Sequence, residues 1–195
     1  MTDSISSQIN VIYRFCAQSL QYPDRSWLTA EYEKSLFILL DTLDAQKEKE
    51  AIQKRFSTDN DPLEALQIEY TRLFINGFPH VVAPPYGSVY LDKSLLGKHT
   101  EKTMSFYKSH GYMLKEGTDL PDHIIYQLEF LSLLAENNDE AAETEFLKTI
   151  FLPWFSKFHA RVRQETTHPF YSVIVQFIDY LTKEEDEHGI QLDEA

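Results

Sequence analysis

Residues 120–134 read LPDHIIYQLEFLSLL, and the reading of this stretch decides the fold class. Pro121 suits the first position of a helix, where its missing N–H would be unpaired in any case, and Asp122 adds an acid at the positive end of the helix dipole. At about 100° per residue, Ile124, Leu128, Leu131 and Ala135 form one apolar stripe, while Asp122, Tyr126 and Glu129 share the opposite face. Ile125 and Leu133 each stand four residues from Glu129, so its carboxylate is flanked by apolar side chains on a helix that is hydrophobic nearly all round. A carboxylate in such surroundings calls for a partner. Two readings stand at this point: a plain helix start with a snorkelling surface acid, or a face that presents carboxylates to a ligand.

Outward from this helix the same periodicity recurs. Ile5, Ile9, Ile12, Cys16 and Leu20 predict a first helix over residues 4–20, closed by Tyr22-Pro23-Asp24. Trp27, Leu28, Tyr32, Leu36, Leu39 and Leu40 line a second over 26–43, and Ile52 and Phe56 turn inward from a more polar helix over 45–56. Asp61-Pro62-Leu63-Glu64 combines an N-cap acid, a proline at the first helical position and a glutamate three residues after the cap. The helix it opens carries Leu63, Leu66, Tyr70, Leu73 and Phe74, and ends at Asn76-Gly77. Leu96, Thr100, Met104 and Tyr107 are in register over 95–110, with Gly111 as the left-handed stop. Asn137-Asn138-Asp139 caps a helix bearing Phe146, Ile150, Trp154, Phe158 and Val162, which Pro153 should kink. The last helix opens near Pro169, and residues 184–195 read as a solvated acidic tail.

Residues 78–92, FPHVVAPPYGSVYLD, are the one long segment that does not read as helix. Pro84-Pro85 holds the backbone extended, Gly87 permits a turn, and Tyr86 and Tyr90 bring large aromatics onto the loop, either to plug the core or to bind. Residues 112–119, with Gly117, form a hinge-like connector. No alternating strand pattern survives, so the class is all-α: a single-domain bundle of about eight helices over residues 1–183.

The 195 residues, 43% hydrophobic, are enough for one substantial core. Lys+Arg 18 against Asp+Glu 31 leaves a formal charge of −13, which disfavours nucleic acid and anionic membranes and favours basic partners. The lone Cys16 cannot form an intramolecular disulfide and reads as a packed thiol. With no signal-like start and no apolar run of spanning length, a cytoplasmic protein, not embedded in a membrane, is expected.

The sequence lacks G-x-G-x-x-G, H-E-x-x-H, C-x-x-C and G-x-S-x-G. Gly97-Lys98-His99-Thr100 has the closing residues of a phosphate-binding loop without its upstream glycine or strand. Glu185 and His188 lie in the tail, a poor place for a rigid metal site. Asp122 and His123 point about 100° apart if both are helical, so an acid–base pair there would need a third group to orient it. No catalytic residue, metal site or cofactor is assigned.

Four features, taken in order and spacing, resemble the TorD/DmsD/NarJ family of molybdoenzyme chaperones, also called redox enzyme maturation proteins. They are Tyr70-x-x-Leu73-Phe74; Pro84-Pro85-Tyr86-Gly87-Ser88-Val89-Tyr90; Phe106-Tyr107 followed by Gly111; and Pro121-Asp122-His123 leading to Leu128-Glu129-Phe130. Leu152-Pro153-Trp154-x-x-x-Phe158 and His168-Pro169-Phe170-Tyr171 extend the resemblance over residues 5–181. It implies the family's all-helical fold, as a monomer or a dimer swapped about the connector. It further implies binding of the twin-arginine signal peptide, and of the apo-form body, of a molybdenum-cofactor oxidoreductase until the cofactor is in place. The binding positions it implies are Leu73, Phe74, Pro85, Tyr86, Ser88, Pro121, Asp122, His123 and Glu129. The chain departs from many relatives in carrying Gln127 for an acid and Leu131 for methionine, and it offers no cradle for the guanine nucleotide suggested for some members. The chemistry required is consistent with this: guanidinium groups beside an apolar stretch need carboxylates beside an aromatic groove, for which Asp122 and Glu129, with Phe74, Tyr86, Tyr90 and Tyr126, are the candidates. Two other readings remain: an assembly factor that binds a mature enzyme subunit without a twin-arginine motif, and an all-α metal- or nucleotide-dependent enzyme.

Overall fold

The computed structural model describes the backbone of residues 2–77 and 80–191, and the side chains of residues 9–77 and 80–183. In chain order the helices are α1 (Thr2–Ser19), α2 (Ala30–Thr42), α3 (Gln46–Thr58), α4 (Pro62–Tyr70), α5 (Gly87–Leu91), α6 (Lys98–Ser109), α7 (Ile124–Glu136), α8 (Glu140–Phe146), α9 (Leu152–Glu165) and α10 (Pro169–Gln191). Two π-helical turns, Thr71–Ile75 and Leu147–Phe151, continue α4 and separate α8 from α9. The fold is all-α, and the described residues contain one isolated antiparallel bridge, between Tyr86 and His123.

Helix α7 is the axis of the bundle. Ile124, Leu128, Leu131 and Ala135 are buried as their spacing requires, and the helix packs along α1, where Tyr13, Cys16 and Ala17 face the core, as does Leu20 just past its end. Burial pushes the Cys16 thiol upward, as expected of a packed, unreactive sulfur. An Arg14–Glu136 ion pair joins the outer surfaces of the two helices. On its other sides α7 is closed by Tyr107 and Phe146, whose rings meet Phe130 at 4.7 and 4.9 Å, and by Trp154, whose indole N–H donates to Gln127 Oε1 at 2.9 Å. A buried glutamine there supplies the neutral acceptor that an indole needs in the core. Helix α10 packs on α9 and reaches α3, α8 and α1.

Several element boundaries differ from the sequence expectation, each for a tertiary reason. Helix α7 starts three residues later than Pro121, with His123 as its N-cap: the imidazole Nδ1 accepts the Ile125 N–H at 3.2 Å. Pro121 and Asp122 are held out of the helix because their carbonyls accept from the Tyr107 hydroxyl and the Gly87 N–H. His168 repeats the device at α10, its Nδ1 accepting the Phe170 N–H at 3.2 Å. Burial is the main reason that both histidines are driven down to about 4, so both stay neutral and able to accept.

Helix α2 starts at Ala30 rather than near Ser26, capped by Thr29. Leu96, expected in register on α6, lies before it and is 71% exposed; α6 instead begins where Asp92 Oδ2 accepts the His99 N–H. The segment expected to lack helix holds α5, while Phe78 and Pro79 at its start lie outside the described residues. Where Pro153 should kink the helix, the chain takes a π turn: Pro153 sits in the first turn of α9 and has no N–H to offer the Thr149 carbonyl four residues back, which accepts Lys102 Nζ at 2.8 Å. Helix α10 continues to Gln191, past the expected start of the tail; the tail's side chains, Ile5, and residues 192–195 fall outside the described set. Asp61 and Asp139 cap α4 and α8 as read, and Gly111 takes the left-handed conformation.

Candidate functional site

The Pro84-to-Tyr90 segment and the start of α7 are brought together by main-chain hydrogen bonds. Pro85 O accepts the Ile124 N–H at 2.9 Å and Asp122 O accepts the Gly87 N–H at 3.0 Å. The Asp122 carboxylate completes the joint: its Oδ2 accepts the Ser88 N–H at 2.7 Å, so an acid 34 residues away caps the first turn of α5. Asp122 and Ser88 are both 0% exposed. As folded here, Asp122 has no surface on which to meet a partner's guanidinium, although the sequence reading placed it on one face with Tyr126 and Glu129.

The remaining predicted positions divide in the same way. Leu73, Phe74, Pro85, Pro121 and His123 are buried. Leu73 lies in the π turn after α4, where its carbonyl accepts the Ala83 N–H at 2.7 Å and ties the loop back to that turn. Phe74 packs edge-on against Tyr70 and Tyr171. Tyr90 is half-buried between Trp154 and Phe158, with its hydroxyl turned inward. Like Tyr90, the remaining three positions, Tyr86, Tyr126 and Glu129, are half-buried and keep an accessible side.

These three form a rim with Asp119, an exposed residue at the end of the connector that sequence reasoning passed over. The Tyr86 hydroxyl donates to Asp119 Oδ2 at 2.8 Å, and the Asp119 N–H donates to the Tyr126 hydroxyl oxygen at 3.2 Å. Burial and the Asp119 carboxylate push the Tyr86 phenol well above its ordinary value, so it remains a donor. His123 lies edge-to-face beneath Tyr86, with ring centroids 4.9 Å apart. One turn on from Tyr126, Glu129 is half-buried, its carboxylate unpaired among the described residues, and burial raises its pKa. The rim thus offers two carboxylates, one exposed and one partly desolvated, among tyrosine rings. Asp119 carried no periodic or motif signal; only the closeness of Tyr86 and Tyr126 in space reveals it.

Gly87 is required by packing rather than by a turn conformation. A Cβ there would lie 2.4 Å from His99 Nε2 and 3.0 Å from Trp154 Cδ1, both on buried side chains. Gly87→Ala is therefore expected to destabilise the fold by about 1–3 kcal/mol, the usual cost of overpacking. Urea unfolding checks this, and an unchanged midpoint would refute the close approach.

Two surface clefts lie elsewhere. The larger, about 620 Å³, is lined by α2, α3 and the start of α4, and includes Leu28, Phe37 and Phe56. The second, about 410 Å³, lies between Tyr22 and the outer face of α4. No group of three or more His, Cys, Asp or Glu among the described residues is placed to hold a metal ion. No helix among the described residues is long and apolar enough to cross a membrane.

Comparison with known proteins follows the same lines. Residues 39–160 match the family described as nitrate reductase delta subunit. The chaperone protein TorD of Actinobacillus succinogenes is 26% identical over 176 residues, spanning 87% of this chain and 90% of its own. The Haemophilus influenzae protein named as a Tat proofreading chaperone, DmsD, is 32% identical over 109 residues, 54% of this chain and 53% of its own. A solved structure assigned as a redox enzyme maturation protein from Archaeoglobus fulgidus superposes with a TM-score of 0.61 at 26% identity, covering 89% of this chain and 93% of that one. With the match spanning more than half of its length and the all-helical fold shared, the chain belongs to the nitrate reductase delta subunit family, the TorD/DmsD/NarJ group that its motifs resemble.

Proposed function

We propose that the protein is a cytoplasmic chaperone that binds the twin-arginine signal peptide, and part of the body, of a molybdenum-cofactor oxidoreductase, holding it for cofactor insertion before export. Family membership supports the chaperone role. The observation that carries the finer reading is the rim of Tyr86, Asp119, Tyr126 and Glu129. Guanidinium groups pair with carboxylates through two parallel hydrogen bonds and stack on aromatic faces, and the rim offers both. Glu129, half-buried and without an ion-pair partner among the described residues, gains more from an incoming cation than a solvated acid would. The acidic balance of the chain, −13 overall, steers a basic peptide toward it.

Calorimetric titration with synthetic leaders from molybdoenzymes, each paired with a twin-lysine control, tests this reading. One leader is expected to bind, with at least a roughly tenfold loss in its control, because lysine cannot reproduce the bidentate pair. Equal binding of leader and control would overturn the arginine-specific reading, and absence of binding would redirect the search to the mature enzyme subunit.

A further inference from the structure

We propose that the cleft between Tyr22 and the outer face of α4 seats the apolar stretch that follows the arginine pair of the leader. This rests on the function proposed above and assigns the peptide's second anchor. Three hydrogen bonds hold the segment that carries Tyr22. Gln67 Nε2 donates to Pro23 O at 2.8 Å, Tyr70 Oη to Leu20 O at 3.1 Å, and Trp27 Nε1 to Tyr22 O at 3.0 Å. Despite this anchoring, Tyr22 is left 46% exposed, and Ile68 opposite it 63%. An aromatic and an aliphatic side chain held on an anchored backbone and a helix, both open to water on a cleft of about 410 Å³, form an apolar seat whose backbone is already ordered, which lowers the cost of binding. The π turn contributes as well: its wider winding carries Asn76 onto the cleft with Thr71, whose carbonyl accepts the Asn76 N–H at 2.8 Å.

Charge selects the occupant. Arg72, on the cleft wall, is already matched, its guanidinium donating to both Glu69 oxygens at 2.9 Å and to Glu165 O at 2.6 Å. Glu64, also on the wall, is exposed and has no ion pair among the described residues. The cleft therefore presents two exposed apolar side chains, Tyr22 and Ile68, between polar ones, with Glu64 as its unmatched charge, complementary to an apolar segment with basic flanks. It also runs toward the rim: Tyr22 meets Tyr70 edge-on at 5.4 Å, and Asp119 lies close enough to Tyr70 for its charge to add to the burial that raises that phenol to about 12. A peptide with its arginines at Asp119 and Glu129 would pass over Tyr70 and lay its apolar stretch between Tyr22 and Ile68.

The test titrates two leaders into the full chain and into the double variant Tyr22→Ser, Ile68→Ser: the native leader, and one whose apolar stretch is replaced by serines. Both substitutions are at exposed positions, and thermal melts check that the variant is folded. The double variant is expected to bind the native leader about tenfold or more weakly and the serine leader with wild-type affinity. Native-leader binding unchanged in a folded variant overturns the cleft while leaving the proposed function standing, as does an equal loss for both leaders. If the wild type binds neither leader, the signal-peptide reading and the cleft fall together. If the variant loses only self-association of the protein, the cleft belongs to a second copy of the chain and the proposal is overturned.

Discussion

Glu69→Ala is expected to destabilise the protein by about 3 kcal/mol, the lower end of the cost of removing one partner from a buried ion pair, because the carboxylate is buried but the Arg72 guanidinium is partly solvated. Glu69 is buried on α4, where its carboxylate accepts from Arg72, from the Thr166 and Thr167 hydroxyls and from the Thr167 N–H, the last at 2.6 Å. It therefore clasps the loop between α9 and α10 to the start of the π turn. Alanine would leave the Thr167 N–H without this acceptor and the Arg72 guanidinium with only the Glu165 carbonyl. Thermal melting should fall by roughly 10 °C, and a shift of about 2 °C or less would rule out the clasp. The same residue makes stability depend on pH. Burial alone would raise its pKa, but the Arg72 guanidinium and the Thr167 and Thr166 donors outweigh it and hold the carboxyl at about 2, below its ordinary 4.5. The folded state therefore binds the proton more weakly than the unfolded chain. This contribution is complete above the ordinary value and lost as pH falls toward the folded one. His123 and His168 act in the window just above, since each is lowered from 6.5 to about 4. Their share is complete above 6.5 and lost on acidification toward 4. Stability measured in urea should thus decline in two successive stages on acidification, and Glu69→Ala should remove the lower one.

The second large effect separates two carboxylates that the sequence treated alike. Asp122→Lys is expected to abolish folding or cost at least about 3–5 kcal/mol, because it buries a cation where Ser88 N–H needs an acceptor. Glu129→Lys should leave the fold nearly intact and weaken leader binding by about tenfold or more, having replaced an attraction by a repulsion. Circular-dichroism melts beside calorimetry distinguish the two variants. An Asp122→Lys protein that melts like wild type would refute the buried joint. A Glu129→Lys protein that binds the leader unchanged would remove Glu129 from the site.

The sequence by itself determined the all-helical class, the central stripe of Ile124, Leu128, Leu131 and Ala135, the Asp61 and Asp139 caps and the Gly111 stop. Each depends on residues within a few positions of one another, and helical spacing and capping are local physics. Only the tertiary structure decided where α7 starts, that α5 exists, that Asp122 is interior and that Asp119 stands on the rim. In each case a deciding partner is far along the chain: Asp122 for Ser88, Pro85 for Ile124, Tyr86 for Asp119. A carboxylate written beside a helix start is read locally as a dipole partner on the surface. The same carboxylate becomes a core acceptor when another element brings its unpaired N–H groups to it, because a buried N–H without an acceptor costs more than the local helical turn contributes.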